Sequence, residues 1–181
     1  MKPIREMSQA ELGAFIHSHL RQLGIDVVLS GGASVAIYSK NIYVSQDLDL
    51  VNIRFAKEGA IKAAMQQIGF REEGRHFRHP ESETIIEFPP GPLAVGAEPV
   101  KSVDELQLPT GTLRIISPTD CVKDRLTSYY HWGDRQALSQ AILVAQHCEI
   151  DLKEVARWST AEGKRKEYAN IRGSLVGNRS P

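Results

Sequence analysis

The sequence predicts an α/β (α+β) fold, in which a mixed β-sheet is flanked by helices and followed by a helical C-terminal region. Two observations indicate this fold class. Over residues 1–116, short apolar runs that end in turn residues alternate with helical segments. From residue 117 onward the pattern is helical, because Ser117-Pro118, Asp134 and Asp151 each precede an amphipathic segment. We therefore expect a core at 1–116 and a helical region at 117–181 that packs on it.

The elements of the core follow from local signals. Ser8-Gln9-Ala10-Glu11 is a capping box and predicts the start of a first helix. A second helix is predicted over 57–68, and residues 70–88 are typical of a strand pair or meander. The proline- and glycine-rich segment 89–99 predicts a loop, and 113–116 predicts a further strand.

A glycine pair lies between a short strand and a short helix. Residues 26–29 form an apolar run, Gly31-Gly32 interrupt it, and a helix is predicted from Ala33 to about Ser39. Glycine lets a ligand approach the backbone closely, and the free amides at a helix start attract anions. Ser34 adds a hydroxyl there. A plain strand-to-helix turn, which needs small residues, is the alternative interpretation.

Two aspartates alternate along the next strand, Asp47-Leu48-Asp49-Leu50-Val51. Alternate residues of a strand share one face, so the two carboxylates lie together with Cα atoms roughly 6.5 to 7 Å apart. This separation allows both to reach one or two Mg²⁺ ions. An edge strand with a solvated acidic side is the alternative.

A third carboxylate, Glu87, is the only charge in the β-rich run 84–88, which Pro89-Pro90-Gly91 ends. On a strand next to the aspartates, it would complete a three-acid metal cluster. Taken by itself, it would be an exposed glutamate on a half-buried strand. Arg75, in the hairpin that precedes this strand, either reaches a substrate or is solvated.

These three segments together resemble the polymerase-beta-type nucleotidyltransferase superfamily. The matching pattern is Leu29-Ser30-Gly31-Gly32, then Asp47-Leu48-Asp49-Leu50, then Ile86-Glu87-Phe88. Ser45 looks like the small hydroxyl residue common before the first aspartate. Within the superfamily the chain looks most like small bacterial proteins related to abortive infection and toxins. It departs from the pattern in having Glu87 where Asp is usual and Ala33 where Ser or Thr is common.

The resemblance implies a metal-dependent transfer of a nucleotide from a nucleoside triphosphate such as ATP. Mg²⁺ (or Mn²⁺) would be held by Asp47, Asp49 and Glu87, the catalytic acids. The phosphates would be bound by the residues of the glycine turn and their neighbours: Gly31, Gly32, Ser34 and Ser45. The acceptor would be a hydroxyl or phosphate of RNA, protein or a small molecule, and an antitoxin or a second copy of the chain would be a partner.

The helical region adds one further candidate. Helices around Lys123-Asp124-Arg125 and Asp134-Arg135 resemble the segment that follows the core in those bacterial relatives, where a lysine faces the nucleotide. A phosphate contact by Lys123 and a solvated helix charge are equally consistent with the sequence. An ion pair between Arg125 and Asp134 is a further expectation.

Composition limits the remaining function classes. The 22 acidic and 22 basic residues balance, so the overall field gives no strong steering toward nucleic acid. No export core or membrane-spanning run is evident, and the two cysteines are far apart, which favours a cytoplasmic protein. The glycine spacing lacks the Gly-x-Gly-x-x-Gly dinucleotide fingerprint and the Gly-Lys-Ser/Thr of a phosphate loop. A nucleotidyltransferase-fold protein that binds nucleotide or a partner without turnover remains the alternative to an enzyme.

Overall fold

A computed structural model describes residues 2–176 and confirms the predicted fold class. Over this range the chain forms seven α-helices: α1 (Gln9–Gln22), α2 (Gly31–Tyr38), α3 (Glu58–Gln67), α4 (Pro118–Trp132), α5 (Arg135–His147), α6 (Leu152–Ala161) and α7 (Arg165–Val176). A short 3-10 helix, Ile4–Glu6, precedes them. The division of the chain into 1–116 and 117–181 stays a prediction. The last five residues of the second region, 177–181, lie outside the described range.

The same range contains nine β-strands: β1 (Val27–Ser30), β2 (Asp47–Asn52), β3 (Arg71–Glu73), β4 (His76–His79), β5 (Ser82–Glu87), β6 (Ala94–Val95), β7 (Glu98–Pro99), β8 (Val103–Leu108) and β9 (Gly111–Ile116). Seven of them form one mixed sheet in the order β3-β4-β5-β2-β1-β9-β8. β2 pairs in parallel with β5, and β1 with β9, whereas the other neighbours are antiparallel. β6 and β7 form a separate ribbon.

Helix starts follow the predicted caps. The capping box at α1 is present in both directions, since the Ser8 side chain accepts from the Glu11 amide and the Glu11 carboxylate accepts from the Ser8 amide. Ser117, Asp134 and Asp151 each accept a hydrogen bond from the first turn of the helix that follows. The caps therefore fix where four of the helices begin.

Alternation along the strands divides the sheet into two faces. On one face, β2 and β5 contribute apolar side chains such as Leu48, Leu50 and Ile86, all fully buried. These pack against α1 and α3 in one hydrophobic cluster. This cluster is the core of the sheet.

The opposite face is covered only in part by the C-terminal helices. Val28 of β1 and Ile116 of β9 belong to a second cluster with Leu126 of α4 and Trp158 of α6. The Trp158 indole also donates to the Val95 carbonyl oxygen at 3.2 Å, which ties α6 to the β6–β7 ribbon. The half of this face that β2 and β5 form carries the acidic residues instead.

Three local expectations differ from the structure. The segment 89–99, predicted as a loop, contains the short ribbon β6–β7, and β8 was not predicted. β8 is an edge strand with charges at Asp104 and Glu105, so its apolar alternation is weak. In addition, α2 begins at Gly31 and not at Ala33. Among the described residues, no helix combines the length and the apolar character needed to cross a membrane.

The capping box gives a direct test of how α1 begins. Ser8→Ala should lower the free energy of unfolding by about 1 kcal/mol, because the Glu11 amide loses its acceptor. Urea unfolding measures the change. Ser102→Ala is the control, since Ser102 is exposed and makes no side-chain hydrogen bond within residues 2–176; it should stay within about 0.5 kcal/mol of wild type. Equal stability of the two variants would contradict the assignment.

Candidate active site

The parallel pairing of β2 with β5 places two of the predicted acids side by side. Asp49 lies directly opposite Glu87, and Asp47 lies opposite Ile85. Paired residues of neighbouring strands point to the same face, and so do residues two apart. The three carboxylates therefore share the sheet face opposite the apolar core of α1 and α3.

Asp49 and Glu87 also have cross-strand neighbours on their outer sides, in β1 and β4. Ser30 of β1 lies opposite Asp49, and His76 of β4 lies opposite Glu87. Arg78 donates to the His76 ring at 3.4 Å. The sequence interpretation assigned no role to Ser30 or to His76. The register that aligns them depends on pairing between segments distant in sequence.

Burial of Asp49 has an electrostatic consequence. Burial raises the pKa of its carboxyl from 3.8 to about 6, and the negative charges of Glu87 and Asp47 add to the rise. The nearby Arg125 opposes this rise, whereas Asp124 adds to it. Asp49 is thus the focus of an acidic cluster in which a positive charge would be favourable.

The cluster is not a formed metal centre in the described conformation. Within residues 2–176, no three His, Cys, Asp or Glu side chains are arranged closely enough to hold a metal ion. The backbone places Asp47, Asp49 and Glu87 on one face of adjacent strands, where strands are about 4.8 Å apart. The three carboxylates could therefore converge on a cation by rotation of their side chains, without a change in the register of β2 and β5.

The glycine turn is pressed against Asp49. Gly31 has a φ of 70°, and a Cβ atom at this position would collide with the Asp49 carboxylate. At Gly32, a Cβ would come within 3.0 Å of the Ser45 Oγ and 3.4 Å of the Tyr43 hydroxyl. Gly31 is therefore required by its backbone angle and by close approach, whereas a side chain at Gly32 would need only small shifts of its neighbours. The start of α2 thus lies directly beside Asp49.

The hydroxyl groups around the turn differ in their availability. Ser30 caps α2 without using its side chain, so its hydroxyl is available beside the unpaired amides of the first turn. Ser34 is fully buried, and its hydroxyl has no hydrogen-bond partner among the described atoms. Ser45 donates to the Asp47 carbonyl oxygen at 3.1 Å and braces the start of β2. A phosphate contact by Ser34 or Ser45 stays a prediction, and Ser30 has the more accessible position.

Lys123 does not occupy the predicted position. Its side chain is 1% exposed, and its amino group pairs with Asp120 at 2.7 Å and with Glu154 at 3.3 Å. It also lies 5.9 Å from the centre of the Trp158 ring. In this conformation the charge of Lys123 is neutralised inside the helical region, and its phosphate contact stays a prediction.

Arg125, two residues further along α4, is a cation that lowers the pKa of Asp49. Its guanidinium pairs with Asp124 at 2.5 Å, approaches Gln140 at 3.4 Å and lies within electrostatic reach of Asp49. The expected pair between Arg125 and Asp134 is absent from the described residues, since Asp134 caps α5. Two residues along a helix point in different directions, which separates the roles of Lys123 and Arg125.

Comparison with known proteins supports the fold and gives no near relative. No family model matches the sequence, and a search of curated proteins finds no match. Among solved structures, an antigenic nucleotidyltransferase-like protein from Paracoccidioides brasiliensis matches with a TM-score of 0.61 and 15% identity, over 92% of each chain. The antibiotic-resistance factor ANT(2'')-Ia matches with a TM-score of 0.54 and 14% identity, over 88% of this chain and 92% of that one.

This chain has the nucleotidyltransferase fold. The match extends over about nine-tenths of the residues of this chain. The resemblance first indicated by the glycine pair and the three acids is thereby confirmed at the level of the fold.

Asp49 should make stability depend on pH. The folded protein keeps this proton up to a pH of about 6, whereas the unfolded carboxyl loses it near 3.8, so stability falls as the pH rises between these values. Asp49→Asn in EDTA should therefore raise the free energy of unfolding at about pH 8 by about 1–2 kcal/mol after solvent screening. The gain should vanish near pH 4, as measured by urea unfolding.

Glu83→Gln is the matched control for this substitution. Glu83 is an exposed carboxylate of β5 that lies outside the cluster, so its removal should change little at either pH. A destabilised Asp49→Asn variant at about pH 8, or a gain that persists at pH 4, would refute the assigned repulsion.

Proposed function

We propose that the chain is a metal-dependent nucleotidyltransferase, which moves a nucleoside monophosphate from a nucleoside triphosphate to an acceptor hydroxyl or phosphate. The observation that carries this proposal is the placement of Asp49 between Glu87 and the Gly31 turn. Clustered acids beside a helix start combine a cation site with an anion site. A triphosphate with its divalent cation needs both.

The donor set fits Mg²⁺ or Mn²⁺. Carboxylate oxygens are the ligands these hard cations prefer. Partial burial, together with the charges of Glu87 and Asp47, raises the pKa of Asp49, and a bound cation would oppose this rise. Asp47, Asp49 and Glu87 would hold the cation. When bound, the cation would neutralise triphosphate charge and lower the pKa of the attacking hydroxyl.

The transfer itself would follow an in-line displacement. The acceptor oxygen forms a bond to the α-phosphorus, the bond from that phosphorus to the bridging oxygen breaks, and pyrophosphate leaves. The acceptor proton would pass to Glu87, at the end of β5. The amides of Gly31 and Gly32 would bind the outer phosphates, with the Ser30 hydroxyl beside them.

Arg125 would complete the phosphate site. It belongs to α4 and lies within electrostatic reach of Asp49, whereas the glycine turn at the start of α2 packs against Asp49. Charge developing on the departing pyrophosphate would be stabilised by such a guanidinium. This assigns to Arg125 the role that the sequence gave to Lys123.

A binding protein without turnover is the second candidate. It is favoured by the described conformation, in which the acids do not converge and the Ser34 hydroxyl is buried. Against it stands the cost of keeping Asp49 buried next to two like charges, which a pure binding fold does not require. A toxin–antitoxin role, the cytoplasmic location and self-association stay predictions.

Removal of a single carboxylate separates the two candidates. Asp49→Asn or Asp47→Asn should lower transfer about a thousandfold or more, since several kcal/mol of cation-dependent stabilisation would be lost. The measurement uses triphosphates labelled at the α-phosphate, Mg²⁺ or Mn²⁺ and cell extract as a source of acceptors. Glu83→Gln, on the same strand as Glu87, should transfer like wild type.

The outcome distinguishes chemistry from binding. Labelled product that disappears in Asp49→Asn supports the enzyme. Wild-type activity in Asp49→Asn refutes this site. If the wild-type protein binds the nucleotide but gives no labelled product, the result supports the binding protein.

Substitution of Arg125 tests the phosphate contact. Arg125→Gln should raise the KM for the triphosphate by about 10- to 100-fold, because charge-assisted hydrogen bonds contribute about 1.5–3 kcal/mol. Arg125→Lys should restore part of the affinity. Arg135→Gln, at the exposed start of α5, is the control and should leave KM unchanged. An unchanged KM in Arg125→Gln would exclude this contact.

A further inference from the structure

A cavity of about 560 Å³ lies at the ends of β2 and β5. It is bounded by these strand ends, by the start of α3 and by the β3–β4 hairpin. Phe77 lies opposite both Glu72 and Ile86, so this wall belongs to the sheet face that packs on α3, which is the face opposite the carboxylates. Its volume is in the range of sites for small molecules, which are about 300–1,000 Å³.

Three phenylalanine rings give the cavity an aromatic wall. Phe77 and Phe88 lie edge to face with ring centres 5.5 Å apart, and Phe55, on the loop after β2, also lines the cavity. Stacked and edge-to-face contacts favour a flat ring as the occupant. The wall therefore selects an aromatic or similarly flat apolar body.

Phe55 is held in an unfavourable conformation at this wall. Its φ is 53°, in the left-handed region that bulky residues avoid, and its ring is 66% exposed. The Asn52 side chain fixes this loop, because it donates to the Ala56 carbonyl at 2.8 Å and accepts from the Ala56 amide at 3.0 Å. Strained residues whose surroundings hold them in place concentrate at ligand sites.

Arg75 supplies the charge of the cavity. It stands at the tip of the two-residue hairpin turn Gly74-Arg75, and Gly74 has a φ of 67°. No hydrogen bond or ion pair in the described part of the chain engages its guanidinium. Of the acids in the wall, Glu72 is paired with Lys62 at 2.5 Å, and Glu58 lies in the first turn of α3 where the helix dipole favours it.

From this arrangement we infer that the cavity is a ligand site that takes a small molecule with a flat aromatic body and an anionic group. The ring packs on Phe55 and Phe88, and the anion pairs with Arg75. This inference does not rest on the proposed function, because the cavity and the three acids lie on opposite faces of the sheet.

Three phenols of nearly equal size test the charge selection without any chemistry. Para-hydroxyphenylacetate is anionic, tyrosol neutral and tyramine cationic, and each is titrated into wild-type protein in EDTA without nucleotide. Chemical-shift changes in the NMR spectrum give the Kd. The anionic phenol should bind about 10-fold tighter than tyramine, with tyrosol between them.

Variants of the cavity locate this preference. Arg75→Gln should remove the difference between the three phenols, and Phe55→Ala should weaken all three alike. Arg71→Gln is the matched control, because Arg71 belongs to the same hairpin and does not line the cavity. It should keep the wild-type order.

Several results would overturn the inference. Tightest binding of tyramine, no binding of any phenol up to about 10 mM, or an unchanged order in Arg75→Gln would each do so. Displacement of the bound phenol by RNA would replace the small ligand of this cavity by RNA. Binding in the expected order without any transfer would refute the proposed function alone.

Discussion

The parallel pairing of β2 with β5 is the constraint on which the rest of the structure depends. It places Asp49 beside Glu87, an arrangement that is electrostatically unfavourable because both are acids and Asp49 is half-buried. The pairing is held by the opposite face, where Leu48, Leu50 and Ile86 are fully buried. A slip of one residue would turn these side chains outward and bury the acids in the core. The hydrophobic pattern thus fixes the register that the site requires.

The position of the helices then decides which charges meet the acids. The C-terminal helices cover the half of the second sheet face that β1 and β9 form. Their border therefore falls next to β2, and α4 presents Arg125 there. Lys123 points instead into the helical cluster, where burial of its charge is compensated by Asp120 and Glu154. Breaking such a buried pair is costly, so Lys123 stabilises the helical region and leaves the site to Arg125.

Much of this arrangement could be predicted from the sequence, because the signals are local. Alternation in β2 identified the shared face of Asp47 and Asp49, and the capping residues identified the start of α1 and α4. The remainder depends on tertiary contacts. The start of α2 at Gly31, two residues earlier than expected, turns Ser34 inward and leaves Ser30 at the acids. The rotation of α4 about its axis, which separates Lys123 from Arg125, is set by packing that periodicity alone does not define.

One strand links the acids to the cavity. β2 carries Asp47 and Asp49 and ends at Asn52, whose side chain closes the loop that exposes Phe55. The acids and Asn52 lie at opposite ends of the strand and act through different contacts, so they are separable by substitution. Shape and charge in the cavity are therefore free to vary without change in the carboxylates. Such a division lets the sheet keep its carboxylates while the loop after β2 and the hairpin that holds Arg75 determine what the cavity binds.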